Sequence, residues 1–346
     1  MVQSTIVYIG LMSIMVAFAK YSSQKAILNP YGSNKILHFE MLFPILLFAI
    51  IFGLRYNVGA DHLRYLDNYN LGESQGNEYI FRFLTLLLSN NNFHFTIYFS
   101  LCAFIQIFFI YFTFKNEKTI ILYIIFILFA GRYFIDWMNI IRQSIAFCIF
   151  VYSTIFIKEK KMFSYLFFIM IAVGFHKSAI ILVPLYPLLV NEKDYFKNTY
   201  FQLMLLCIAI IFSGYEKWSP LINSLSRILE FFEYGNYIYL FQVLTRELNT
   251  GIGFALSIVV DIIIILYSNQ LKNYFPNNRF KLFYNLYFLG RIMQILFLGS
   301  MVLERPVLYF SSMKLFVASY LLHYLWSTLR INFKLISLFL IISCYL

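Results

Sequence analysis

Leu54-Arg55-Tyr56-Asn57-Val58-Gly59-Ala60-Asp61-His62-Leu63-Arg64-Tyr65, with Asp67 and Tyr69 just beyond, is where an apolar run gives way to charge. The run behind it, about Ile36 to Leu54, approaches the roughly 20 apolar residues that a bilayer-crossing helix needs. Two arginines and two carboxylates therefore sit where a membrane helix meets water. A turn at Gly59 into a short helix places Asp61 on one face with Arg64 and Tyr65, three and four residues on. Such a loop either solubilises a helix end or carries function, and the rest of the chain decides between the two.

Of the 346 residues, 61% are hydrophobic and 12% charged, and the mean hydropathy is +0.73. Soluble proteins carry roughly 25% charged residues, so this chain cannot cover a water-facing surface. The reading is all-α: a polytopic transmembrane helical bundle forming one integral membrane domain over residues 1–346. Its 28 tyrosines and 41 phenylalanines suit acyl chains and the headgroup boundary. Cys102, Cys148, Cys207 and Cys344 lie in apolar runs without metal or disulfide spacing, and the histidines form no metal pattern. The net charge of +11 is spread between apolar segments, which excludes a nucleic-acid-binding domain.

Taken in order, spans are expected at about Thr5–Phe18, Ile36–Leu54, Phe95–Phe114, Thr119–Ile135 and Asn139–Ile157. Others follow at Thr199–Phe212, Gly251–Tyr267, Leu282–Leu303, Pro306–Trp326 and from Ile331 onward. No small-residue cleavage site follows the first, so it is expected to be retained. Tyr79–Leu88, carrying Arg82, is short and amphipathic and suits the bilayer surface. Met162–Val190 is long for one span and short for two. It reads as two short helices meeting at Gly174-Phe175-His176-Lys177-Ser178, a break tolerated only where the freed backbone faces protein or a watery cavity. Altogether about 11–12 membrane segments are expected, with amphipathic helices in outer loops at about 55–94 and 214–250.

Alternating the loops puts fifteen basic residues on one side, thirteen of them lysines; nine of the other twelve are arginines. The positive-inside rule makes the lysine side cytoplasmic and places the Arg55 loop outside. Arginine offers a planar fork that grips phosphate or carboxylate at two points and tolerates desolvation. The arginine-rich outer half points to an anionic ligand handled at the external face. Its rival is a set of structural bridges to Asp61, Asp67, Glu78, Asp136, Glu233, Glu247 and Glu304. Candidate positions besides the Arg55 loop are Arg142 near the start of the fifth span, His176 with Lys177 at the helix break, Arg291 mid-span, and Glu304 with Arg305 between two late spans. No phosphate-binding glycine loop and no Gly-x-Ser-x-Gly elbow is present, so any reaction uses an already activated substrate.

Arg55-x3-Gly59-x-Asp61-x3-Tyr65, Asn139-x2-Arg142-Gln143-Ser144, Phe175-His176-Lys177-Ser178 and Arg305-x3-Tyr309-Phe310, in this order, resemble the EpsG family. That family is similar to the Wzy-type polymerases of O-antigen, capsule and exopolysaccharide assembly. Ala60 stands where threonine is usual, and His62 where an aromatic is common. The resemblance implies a multi-pass protein of the bacterial inner membrane. Its activity would be that of a glycosyltransferase joining undecaprenyl-diphosphate-linked oligosaccharide repeat units at the periplasmic face, without metal or cofactor. It also admits a chain-length regulator as a partner. Asp61 or His176 would be the base, and Arg55, Arg64, Tyr65, Arg142, Lys177, Arg291, Glu304 and Arg305 would bind substrate. The alternatives are a polyprenyl-phosphate-dependent glycosyltransferase and a lipid-linked oligosaccharide flippase.

Overall fold

The computed structural model describes residues 2–28, 39–72, 78–214, 217–218, 251–276 and 279–328. The protein is an all-α helical membrane protein. Among the described residues, four helices are long and apolar enough to cross a membrane: Thr5–Ala26, Phe95–Thr113, Ile141–Lys158 and Ile252–Tyr274. A pair bent by 69°, Lys118–Ala130 with Tyr133–Asn139, raises this to five, and shorter apolar helices accompany them. The span expected from Ile331 and most of the 214–250 loop lie outside the described residues. The chain forms two compact units, residues 1–191 and 192–346.

In the first unit α1 (Val2–Leu28) packs on α2 (Phe39–Gly53) and α6 (Lys118–Ala130), and α2 packs on α5 (Phe95–Thr113). In turn α5 packs on α8 (Ile141–Lys158), and α8 on α9 (Met162–Phe175). Every residue from Ile145 to Val151 is buried, as befits an inner helix that is apolar on all sides. On α1, by contrast, Ile6, Val7, Ile9 and Ile14 are exposed, a surface that matches lipid tails rather than water. Short helices α3 (His62–Asn70), α4 (Tyr79–Asn90), α7 (Tyr133–Asn139) and α10 (Leu185–Leu189) complete this unit. The first helix outruns its expected end near Phe18. Ser22 and Ser23 are buried, and the Ser23 hydroxyl lies 3.1 Å from that of Thr119, so these polar residues face a neighbouring helix instead of solvent.

Two breaks shape the unit. At Gly131-Arg132 the chain leaves α6 with Arg132 in the left-handed region (φ 58°) and turns into α7. At the other, α9 stops at an extended His176, and a 3-10 turn over Lys177–Leu182 leads on to α10. This second break falls where the sequence places it. Tyr165 repairs part of the lost ladder by donating its hydroxyl to the Leu182 carbonyl at 2.6 Å.

The α7–α8 corner is pinned from two sides. The buried Gln106 amide of α5 donates to Trp137 O at 3.1 Å and to Ser144 Oγ at 2.8 Å. From the other side, Asn139 Oδ1 accepts the Ala60 N–H at 2.8 Å, and Arg55 donates to Met138 O at 3.0 Å. The Arg55 loop is thereby tied to the helix start that carries Arg142. Gly59 makes the tie possible, because its φ is +100° and a Cβ there would stand 2.7 Å from Asn139 Oδ1.

In the second unit α13 (Phe280–Leu296) packs against α11 (Thr199–Ile211), α12 (Ile252–Tyr274), α14 (Met301–Ser311) and α15 (Lys314–Thr328). Its residues from Leu282 to Phe288 are all buried. The expected Pro306–Trp326 span is two helices, α14 and α15, parted by a turn at Ser312-Met313. Lys272 holds the 192–198 loop, with Nζ 2.8 Å from Asp194 Oδ1 and 2.6 Å from Phe196 O.

Gly59→Ala is expected to destabilise the protein by about 1–2 kcal/mol, the cost of left-handed backbone for a residue with a Cβ. Thermal unfolding in detergent measures this, and an unshifted midpoint would contradict the role assigned to the turn.

Candidate functional site

Glu78 lies immediately before α4 and is buried. Its Oε2 accepts from Arg142 Nη1 at 2.7 Å, and its Oε1 lies 3.3 Å from His176 Nδ1. One carboxylate thus joins residues from α4, α8 and the end of α9. The packing that allows it starts from the pattern of α4, which turns Phe81, Thr85 and Leu88 inward. Beside them Ile80 occupies the space a side chain at Gly174 would need, its Cδ1 only 2.4 Å from an ideal Cβ there. The missing methyl lets α4 settle onto the last turn of α9, next to His176.

Helix ends add to the electrostatics. Arg142 is the second residue of α8, at the positive end of that helix, where a cation is disfavoured without an anion nearby. Glu78 provides the anion. His176 is the C-cap residue of α9, at the negative end of that helix. The Arg142 guanidinium also stands over the Phe81 ring at 5.9 Å.

Tyr65 extends the group. It is buried on α3 and its side chain hydrogen-bonds Arg142. Burial pushes its phenol pKa up, with Arg142 opposing the shift. Asp61 and Arg64 are both within electrostatic reach of the same phenol. Asp61 begins α3 without using its side chain as a cap, is half-buried, and keeps its carboxylate off the helix backbone. Arg64 and Lys177 are exposed.

Arg55 is buried and turns inward. Its Nε donates to His62 Nδ1 at 3.4 Å, and its guanidinium lies over the Phe99 ring at 5.4 Å. His62 is fully buried and stacks on the same ring at 4.7 Å. Burial, helped by the Arg55 charge, lowers the His62 pKa to about 4. Burial likewise lowers Arg55 to about 10, which leaves it charged at neutral pH. The imidazole therefore stays neutral and accepts the arginine N–H.

The remaining candidates belong to the second unit. Arg291 on α13 is buried and donates through Nε to Asp261 Oδ2 at 2.5 Å. Its Nη1 reaches Gln294 Oε1 and its Nη2 reaches Ser257 Oγ, both at 3.0 Å. Asp261, fully buried on α12, also takes Lys314 at 2.8 Å and the Tyr287 hydroxyl at 2.7 Å. Arg305 is exposed on α14, and Glu304 is half-buried in the first turn of that helix.

The structure therefore gathers Asp61, Tyr65, Arg142 and His176 in one unit, with Arg55 and Arg64 close by, and places Arg291, Glu304 and Arg305 in the other. Sequence reading treated Glu78 only as one possible bridge partner. Its signal was a lone carboxylate at the entry to an amphipathic helix. Asp261 and Lys314 fall inside apolar stretches, and a charge there is itself a pointer.

Residues 38–346 match the EpsG family, a Wzy-like polymerase family. No curated protein and no solved structure matches the chain.

The buried neutral His62 predicts an acid-sensitive fold. Its ordinary pKa of 6.5 falls to about 4 in the folded chain, so below pH 6.5 the unfolded state takes up a proton that the folded state refuses. Stability should fall as pH drops from 6.5 towards 4, and His62→Gln should flatten that slope in detergent melting curves. Asp261→Ala leaves two buried cations without their carboxylate and should cost about 3–5 kcal/mol, read from the shift of the same unfolding transition.

Proposed function

The chain belongs to the EpsG family, and from that premise we propose that it joins oligosaccharide repeat units carried on undecaprenyl diphosphate. The reaction would take place at the periplasmic face of the bacterial inner membrane, in a multi-pass protein. The observation that carries this reading is the cluster Asp61, Tyr65, Glu78, Arg142 and His176. Within hydrogen-bonding and electrostatic range of one another it holds a guanidinium suited to phosphate and two groups able to take a proton.

The donor's lipid diphosphate is both leaving group and energy source. As the acceptor hydroxyl attacks the anomeric carbon, the bond from that carbon to the diphosphate oxygen breaks and negative charge gathers on the phosphates. Arg142, fixed in place before the reaction, stabilises that charge as it develops. Lys177, exposed beside His176, supplies a second cation. Arg55 supports the cluster from behind by anchoring the loop to Met138. The acceptor's proton passes to His176 or Asp61, with Asp61 and Arg64 holding the acceptor sugar. In the second unit Arg291 holds the packed helix α13 through Asp261, and Arg305 and Glu304 on α14 are proposed as substrate-binding residues of that unit.

Reconstitution with lipid-linked repeat units tests the proposal. Arg142→Ala, Arg305→Ala and Asp61→Asn, each inserted in the membrane, should leave single repeats on the carrier. Loss of one anion contact slows the reaction by about 10²–10³-fold, about 2.7–4 kcal/mol. Full-length polymer from all three variants would remove the site. Transport of the lipid-linked unit without a new glycosidic bond would favour the flippase.

A further inference from the structure

Glu78 touches two members of the cluster through different oxygens, 2.7 Å to Arg142 Nη1 and 3.3 Å to His176 Nδ1. We propose that Glu78 is a positioning residue for glycosyl transfer, fixing His176 as the proton acceptor while holding Arg142 towards the diphosphate. This rests on the polymerase reading above and goes beyond it by assigning the base and the group that sets it.

The argument is one of hydrogen-bond inventory. An ionised carboxylate can only accept, so the imidazole nitrogen facing Oε1 must carry a hydrogen. In neutral His176 that puts the proton on Nδ1 and the lone pair on Nε2, an atom buried inside the unit, so the acceptor hydroxyl has to enter the cluster to reach it. The second oxygen accepts from Arg142 at 2.7 Å, so both carboxylate oxygens are engaged at once. The backbone supports the same geometry, since Glu78 stands at the start of α4 and His176 at the end of α9. Gly174 permits the close contact between these two helices. In the reaction the acceptor hydroxyl oxygen forms its bond to the anomeric carbon, and the hydroxyl proton moves to His176 Nε2. The carbon–oxygen bond to the diphosphate breaks, and its electron pair leaves with the phosphate oxygen. Glu78 takes no proton; it stabilises the imidazolium formed.

Glu78→Gln separates this role from a structural one. The carboxamide oxygen still serves Arg142, but the amide nitrogen now donates towards His176 and forces its lone pair onto Nδ1. Nε2 then bears the hydrogen and cannot act as a base. By analogy with an inverted tautomer in a catalytic triad, kcat should fall by about 10²–10⁴-fold. The KM for the lipid-linked donor should change little, and the melting transition should stay in place. Glu78→Gln added to His176→Ala should slow the reaction no further than His176→Ala alone.

Wild-type kcat from Glu78→Gln beside an inactive His176→Ala overturns the inference and leaves the site reading intact. Additive losses in the double variant do the same. Wild-type rates from His176→Ala also overturn the inference and leave Asp61 as the base within the site reading. Should Glu78→Gln fail to insert, ¹⁵N shifts of histidine-labelled wild-type protein at pH 8, assigned with His176→Gln, read the tautomer directly. Hydrogen on Nδ1 supports the inference, and hydrogen on Nε2 overturns it.

Discussion

A carboxylate withdrawn from water has to be matched at both oxygens, and Glu78 meets that constraint by binding a guanidinium with one and an imidazole with the other. Everything near it serves this arrangement. The missing side chain at Gly174 admits Ile80, which sets how deeply α4 sits. The α7–α8 corner, clamped by Gln106 and Asn139, decides where Arg142 emerges. The cost of burying these charges is offset because each group meets a partner of the opposite kind, the only way ionised side chains persist at low dielectric. The Arg142 fork is thereby held in one orientation, which under the proposed reaction would leave little reorganisation for an arriving phosphate.

Unit two solves the same problem with the opposite balance. Asp261 lies at the centre of an apolar helix and collects Arg291, Lys314 and Tyr287 around a single carboxylate. The guanidinium that the sequence offers as a phosphate ligand spends three donors on Asp261, Gln294 and Ser257. Its immediate physical effect is to fasten α13 to α12, while Arg305 is exposed on α14.

The sequence made the helical class legible, because charge density that low leaves no other surface chemistry. It also located the His176 break, since a polar pentapeptide in a run too long for one span and too short for two has few other readings. The short α4 was legible from its period. Pairing across the chain was not. Nothing in Glu78's own neighbourhood says that it meets residues 64 and 98 positions further on, because that depends on how deeply two helices pack. His62 looked like a loop residue and is fully buried, since the loop folds back onto Phe99. The corner at Arg132 was hidden because a left-handed arginine has no sequence signature of the kind glycine gives.

The short helix that carries Glu78 also shows an outward row, Tyr79, Phe83 and Leu87, exposed at 83%, 66% and 46%. These rings and methyls have no protein to rest on among the described residues, so whatever amphiphile surrounds the protein completes that packing. The carboxylate at the head of the helix is consequently levered by its solvent shell. Purification conditions therefore become a variable of the chemistry: a surfactant that wets this row poorly would loosen the Glu78 contacts before any global unfolding registers.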